Sequence, residues 1–155
     1  MSLALALLLQ VTASGRVPLG VWERWGAFRD AAPPRCFAIT EPLGRRRATR
    51  PFASVATWPR AGARGQLHIR LSRPRRPSAR VTLSIGERRF ELLAGPADAW
   101  APDARTDAAI VAAMRSGRSM SVESAAVSGA PVADAYALAG SATALDAAAV
   151  GCAGR

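Results

Sequence analysis

The sequence predicts a mainly β protein, a β-sandwich-like single domain over residues 14–155 with one short internal helix and a short C-terminal helix. Three observations predict it. Apolar and polar residues alternate along the middle of the chain, Pro- and Gly-rich breaks recur between those stretches, and only two segments carry a helical period. The clearest alternation is 66–72, where Leu67, Ile69 and Leu71 point one way and His68 and Arg70 the other. Residues 80–85 repeat it with Val81, Leu83 and Ile85. Gly86-Glu87 then turns the chain into 88–93, with Phe90 and Leu92 facing inward, and the two stretches read as a hairpin. The intervening 73–78 holds two prolines that cannot donate to a central ladder, so it is expected to be an exposed connection.

Upstream, 21–25, 36–40 and 52–58 are further strand candidates; downstream, 119–124 and 134–139 bring the set to about eight. Such a series of short strands favours a sandwich or open barrel over a βαβ fold. Thr106 is expected to cap the internal helix, with Asp107 at its positive end, Ile110, Val111 and Met114 on one face and Gly117 at its C-terminal cap. Ser141 is expected to cap an alanine-rich helix through Val150, ended by Gly151, that delivers Cys152 to a partner. One core is expected from Leu67, Ile69, Leu71, Val81, Leu83, Ile85, Phe90, Leu92, Ile110, Met114 and Tyr136.

The 155 residues carry a formal charge of +10, and all 21 basic residues are arginine. Arginine without lysine, beside so much Ala, Gly and Pro, is the pattern a GC-rich coding sequence leaves, and it weighs against nucleic acid as the partner. The charge still concentrates anions near the surface. A chain without lysine has no Ser-Lys dyad, Schiff-base lysine or P-loop lysine.

Residues 3–9 form an uncharged apolar run, too short to span a bilayer, and Val11-Thr12-Ala13 fits a small-residue cleavage site. A signal peptide over 1–13 is the expectation, and with it a periplasmic or secreted location. The start supplies no positive charge beyond the α-amine; the other reading of the run is a core strand or helix. The two cysteines, Cys36 and Cys152, are too few and too far apart for a metal site. In an oxidising compartment they would form a disulfide closing a long loop; in a reducing one they would be buried thiols.

The single histidine, His68, falls on the polar strand face between arginine-bearing positions, where a surface role is the commoner one. Asp98, Asp103 and Asp107 lack the spacing of a calcium loop. No metal, cofactor or catalytic residue is expected, although any two of the eleven acids meeting in a cleft would allow carboxylate-dependent hydrolysis. The aromatic residues are expected mainly in the core, with Trp58 and Trp100, each beside a proline-containing loop, as candidates for exposure. Two arginine-rich loops, Arg45, Arg46, Arg47 and Arg50 in one and Arg73, Arg75 and Arg76 in the other, form a candidate surface for an anionic partner.

The order of Trp25-Gly26-Ala27-Phe28-Arg29-Asp30, Arg35-Cys36-Phe37-Ala38-Ile39, Pro51-Phe52-Ala53-Ser54-Val55, Phe90 with Trp100, Ile110-Val111-Ala112-Ala113-Met114-Arg115-Ser116-Gly117 and Asp134-Ala135-Tyr136-Ala137-Leu138-Ala139-Gly140 before Cys152 resembles the invasion associated locus B family over nearly the whole mature chain. The resemblance implies an exported alphaproteobacterial cell-envelope protein, a β-sandwich-like domain and no established enzyme activity. The chain departs from the family in having only two cysteines and in its arginine-rich loops. A structural or interaction module of the envelope is therefore the expected function, with a carboxylate-dependent hydrolase of envelope polymers as the alternative; the partner would be an anionic envelope component or another protein.

Overall fold

A computed structural model describes residues 15–154. The expected leader over 1–13 lies outside them. The chain is mainly β: ten strands, β1 (Arg16–Trp22), β2 (Trp25–Ala31), β3 (Pro34–Thr40), β4 (Phe52–Trp58), β5 (Ala63–Arg70), β6 (Val81–Ile85), β7 (Arg88–Ala94), β8 (Asp98–Trp100), β9 (Ser119–Ala125) and β10 (Pro131–Ala137), with helices α1 (Ala104–Ser116) and α2 (Ser141–Gly151). All pairings are antiparallel, in the order β1-β2-β3-β4-β5-β8-β7-β6-β9-β10.

The ends of this order are drawn together, which makes the sheet sandwich-like. Trp25 Nε1 donates to Ala137 O at 2.9 Å, Leu43 N donates to Ala135 O at 2.7 Å, and Ser72 N donates to the buried Asp134 carboxylate at 2.9 Å. These bonds tie β2, the β3–β4 loop and the end of β5 to the last strand, so the inner faces of both halves enclose one core. All eleven expected core residues lie in it, with Trp25, Met120 and Val122. Tyr136 is fully buried, and burial pushes its phenol far above the usual range.

Both helices pack on this inner side: α2 against β1 to β4, and α1 against β5 and β7. Cys36 of β3 and Cys152, next to the end of α2, form the expected disulfide across a Cα separation of 5.8 Å. α1 starts earlier than expected. Asp103 is its N-cap, accepting from Thr106 N at 2.7 Å, because Ala104 and Arg105 already have helical geometry. α2 starts after Gly140, and Ser141 is a buried residue of its first turn rather than its cap.

Two strand expectations are corrected. The candidate 21–25 straddles a tight turn: β1 ends at Trp22, β2 begins at Trp25, and Glu23 takes a positive φ of 52° between them. The three-residue β8 is an addition; it joins the halves by pairing with both β5 and β7.

Candidate functional site

The sheet face turned away from the helices carries the chemistry. Strand register aligns its side chains in rows: Gly26, Ile39, Ser54, His68 and Trp100 form one, and Phe28, Phe37, Ala56 and Gln66 the next. Rings therefore meet across strands. Phe28 stacks on Phe37 at 5.6 Å, Phe52 meets His68 edge-on at 5.0 Å, and His68 lies nearly parallel to Trp100 at 5.2 Å. The expectation that the aromatics are mainly core residues holds for Trp25, Phe37, Phe90 and Tyr136 but not for Phe28 and Phe52, which are half-buried on this face; Trp58 and Trp100, the two candidates for exposure, are half-buried as well.

Arginines interleave with the rings. Arg35 lies 4.4 Å from the Phe37 centroid and 5.2 Å from that of Trp58, and Arg70 lies 5.7 Å from Phe52. Asp30 accepts from Arg16 Nε at 2.7 Å and from Arg35 Nε at 2.8 Å; these bonds, that to Arg16 foremost, hold its carboxyl down to about 2. Asp98 is hydrogen-bonded to His68 Nε2 at 2.7 Å, with Arg70 Nε further off at 3.4 Å. His68 is thus on the face expected of it, but as a half-buried, stacked and paired residue rather than a solvated one. Ser54 is its cross-strand neighbour, yet among the described residues its hydroxyl makes no hydrogen bond to the ring, so the three side chains stop short of a nucleophilic triad.

The remaining aspartates have separate partners. Asp103 caps α1, Asp107 accepts from Leu67 N at 2.8 Å, Asp134 holds Ser72 N, and Asp146 pairs with Arg115 at 2.7 Å. Among the described residues no cluster of three acid, histidine or cysteine side chains could hold a metal ion, and no helix is long and apolar enough to cross a membrane.

The two arginine-rich loops adjoin: Thr49 Oγ1 donates to Ser72 O at 3.0 Å, which places Arg50 and Arg73 on either side of the contact. Arg45, Arg46, Arg47, Arg50, Arg73 and Arg76 are exposed. Arg75 is different. Its guanidinium donates to the carbonyls of Gly95, Arg76, Pro77, Ala79 and Ala94 at 2.7–3.2 Å, closing a proline-rich connection whose carbonyls have few N–H partners. It staples the fold and has no donor pair left for an anion, so it is withdrawn from the candidate surface.

The β3–β4 loop overhangs a cleft of about 820 Å³ on the outer face, floored by Phe28, Ile39 and Phe52 with Arg24, Arg50 and Arg70 at its rim. The sequence did not single out this cleft. Its only sequence trace is the missing side chain at Gly26, between Trp25 and Ala27, which both point into the core. No family model, curated protein or solved structure matches the chain.

Proposed function

We propose that this protein is a non-catalytic interaction module of the cell envelope, an exported relative of the invasion associated locus B proteins, that meets anionic envelope components through its outer sheet face and β3–β4 loop. The observation that carries the reading is the continuity of the Arg45–Arg50 loop with the arginine-rimmed cleft: Arg24 and Arg50 line both the cleft and the small recess under Arg45, Arg46 and Arg47. Guanidinium pairs with phosphate or carboxylate in a bidentate fork, so several on one surface favour an anionic partner. The disulfide supports an oxidising compartment. Hydrolysis by a carboxylate pair would need two acids facing each other across a cleft; the six aspartates are each bonded to a different basic or backbone partner, and of the two glutamates that line the cleft, Glu23 and Glu41, the second is paired with Arg46 at 3.3 Å.

The test is co-sedimentation with vesicles of phosphatidylglycerol or of phosphatidylcholine at low and physiological salt. Binding to the anionic vesicles alone, falling as salt rises and reduced when Arg45, Arg46 and Arg47 are changed to Gln, is the expected result. Absence of binding at low salt would refute the reading, and equal binding by the triple variant would remove the loop from it.

A further inference from the structure

The cleft under the β3–β4 loop is more specific than a positive surface. Its floor is apolar: Phe28, Ile39 and Phe52 lie half-buried, and Val21 beside them is 70 % exposed. Gly26 contributes no side chain to its row, and the Phe28 ring lies over it: a Cβ there would fall 2.8 Å from Phe28 Cε2. The cleft volume of about 820 Å³ is within the usual range of ligand pockets, about 300–1,000 Å³.

The rim is cationic. Among the described residues the guanidinium groups of Arg24 and Arg50 make no hydrogen bond or ion pair, and that of Arg70 reaches Asp98 only at 3.4 Å. Glu23 and Glu41 also line the cleft, and Glu41 is paired with Arg46 at 3.3 Å. Three arginines at the mouth and three more on the overhanging loop therefore outweigh two glutamates.

We infer that this cleft seats one acyl chain of an anionic membrane lipid, with the phosphate of that lipid on Arg24, Arg50 and Arg70. The inference rests on the interaction reading above and goes further by naming the ligand and its seat. A free phosphate would leave the apolar floor wet. An extended peptide would gain no main-chain bonds on the floor of the cleft, because β2, β3 and β4, which supply Phe28, Ile39 and Phe52, are already paired on both sides; only β1, which contributes Val21, has an open edge. An amphiphile uses both halves of the site: chain on Phe28, Ile39 and Phe52, headgroup on the arginines.

The experiment titrates the full chain with inorganic phosphate, hexyl phosphate and dodecyl phosphate, each kept monomeric, by calorimetry and by methyl NMR of Val21 and Ile39. Affinity is expected to rise with chain length, up to about fourfold for each methylene the cleft buries, with the Val21 and Ile39 methyl signals shifting for dodecyl phosphate. Ile39→Thr should weaken dodecyl phosphate about tenfold and leave hexyl phosphate nearly unchanged, while Arg50→Gln should weaken both. The chain-length series uses the unaltered protein, so it stands even where a variant folds poorly. Equal affinity for hexyl and dodecyl phosphate, or methyl signals that do not move, overturns the inference; if phosphatidylglycerol vesicles still bind in a loop-dependent way, the interaction reading survives without it. Dodecyl phosphate binding by a protein that ignores phosphatidylglycerol vesicles also overturns it, since the occupant would not be a membrane lipid.

Discussion

The buried carboxylate of Asp107, in the first turn of α1, accepts the backbone N–H of Leu67 on β5 at 2.8 Å. β8 pairs with β5 only at His68, Ile69 and Arg70, so beyond that point the edge of β5 has no strand beside it. A buried N–H left unpaired there would cost about 1–3 kcal/mol. Asp107 supplies the missing acceptor and fixes α1 to the sheet at the same time.

Burial raises the Asp107 carboxyl above its usual value, and the Leu67 bond opposes this only in part. Between the ordinary carboxylate value and the raised one the native state binds more protons than the unfolded state, so this group's contribution is full at low pH and falls as pH rises through the raised value. Asp107→Asn keeps an acceptor and removes the charge. It is expected to fall within about 1 kcal/mol of the parent at pH 7, whereas Asp107→Ala, which leaves Leu67 N–H unpaired, should lose about 1–3 kcal/mol. Urea denaturation at pH 7 checks this; equal losses for both variants would show that the charge, and not the acceptor, is what matters.

Asp30 behaves in the opposite sense. Its carboxyl is held at about 2 by Arg16 and Arg35, so its contribution is present above the ordinary carboxylate range and is lost as pH falls through about 2. Because the Arg16 side chain is 48 % exposed, solvent screening limits the effect to about 1 kcal/mol. The parent should lose more stability between pH 5 and pH 2 than Asp30→Asn does, as read from urea midpoints at the two pH values; parallel losses would mean that the pair contributes nothing.

Legibility in the sequence followed one-sided burial. β5, β6 and β7 were readable because their buried residues fall on alternate positions: Leu67 and Ile69, Val81, Leu83 and Ile85, Phe90 and Leu92. β1 is largely exposed, with no alternation to read, and its turn into β2 uses Glu23 and Arg24 where a Gly or Asn would have marked it. The outer face was hidden for a related reason. Phe52-Ala53-Ser54-Val55-Ala56-Thr57-Trp58 is apolar on both parities, so nothing local says that Ala53 and Val55 face the core while Phe52 and Trp58 face outward. Only pairing of β4 with β5, which aligns Phe52 with Arg70 and Ser54 with His68, reveals which parity belongs to the site.

The Cys36–Cys152 bond closes a loop across a sequence separation of 116 and holds the end of α2 on β3. On the chain-entropy account a loop of this length is worth about 4 to 5 kcal/mol. Urea denaturation with and without reductant should show a loss of that order, with α2 amides losing hydrogen-exchange protection first. An unchanged midpoint in the Cys36→Ala, Cys152→Ala double variant would show that packing alone holds α2.

Gly140 precedes α2 with φ at +84°, and a Cβ there would fall 2.3 Å from the backbone oxygen of Trp22 and 2.7 Å from its carbonyl carbon. The contact is backbone against backbone at the β1–β2 turn, so no flexible side chain can move aside. Gly62 supplies the control: it also has a positive φ, +66°, but nothing lies within 4 Å of its Cβ position. Gly62→Ala should cost only the left-handed backbone penalty, about 1–2 kcal/mol. Gly140→Ala adds a displacement of α2 or of the β1–β2 turn to that penalty and should lose about 3 kcal/mol or more, within the range reserved for strain at a special backbone position. Thermal and urea unfolding of the two variants side by side isolates the difference. Equal losses would mean that the β1–β2 turn yields freely, and that the close approach of α2 to Trp22 does not constrain the fold.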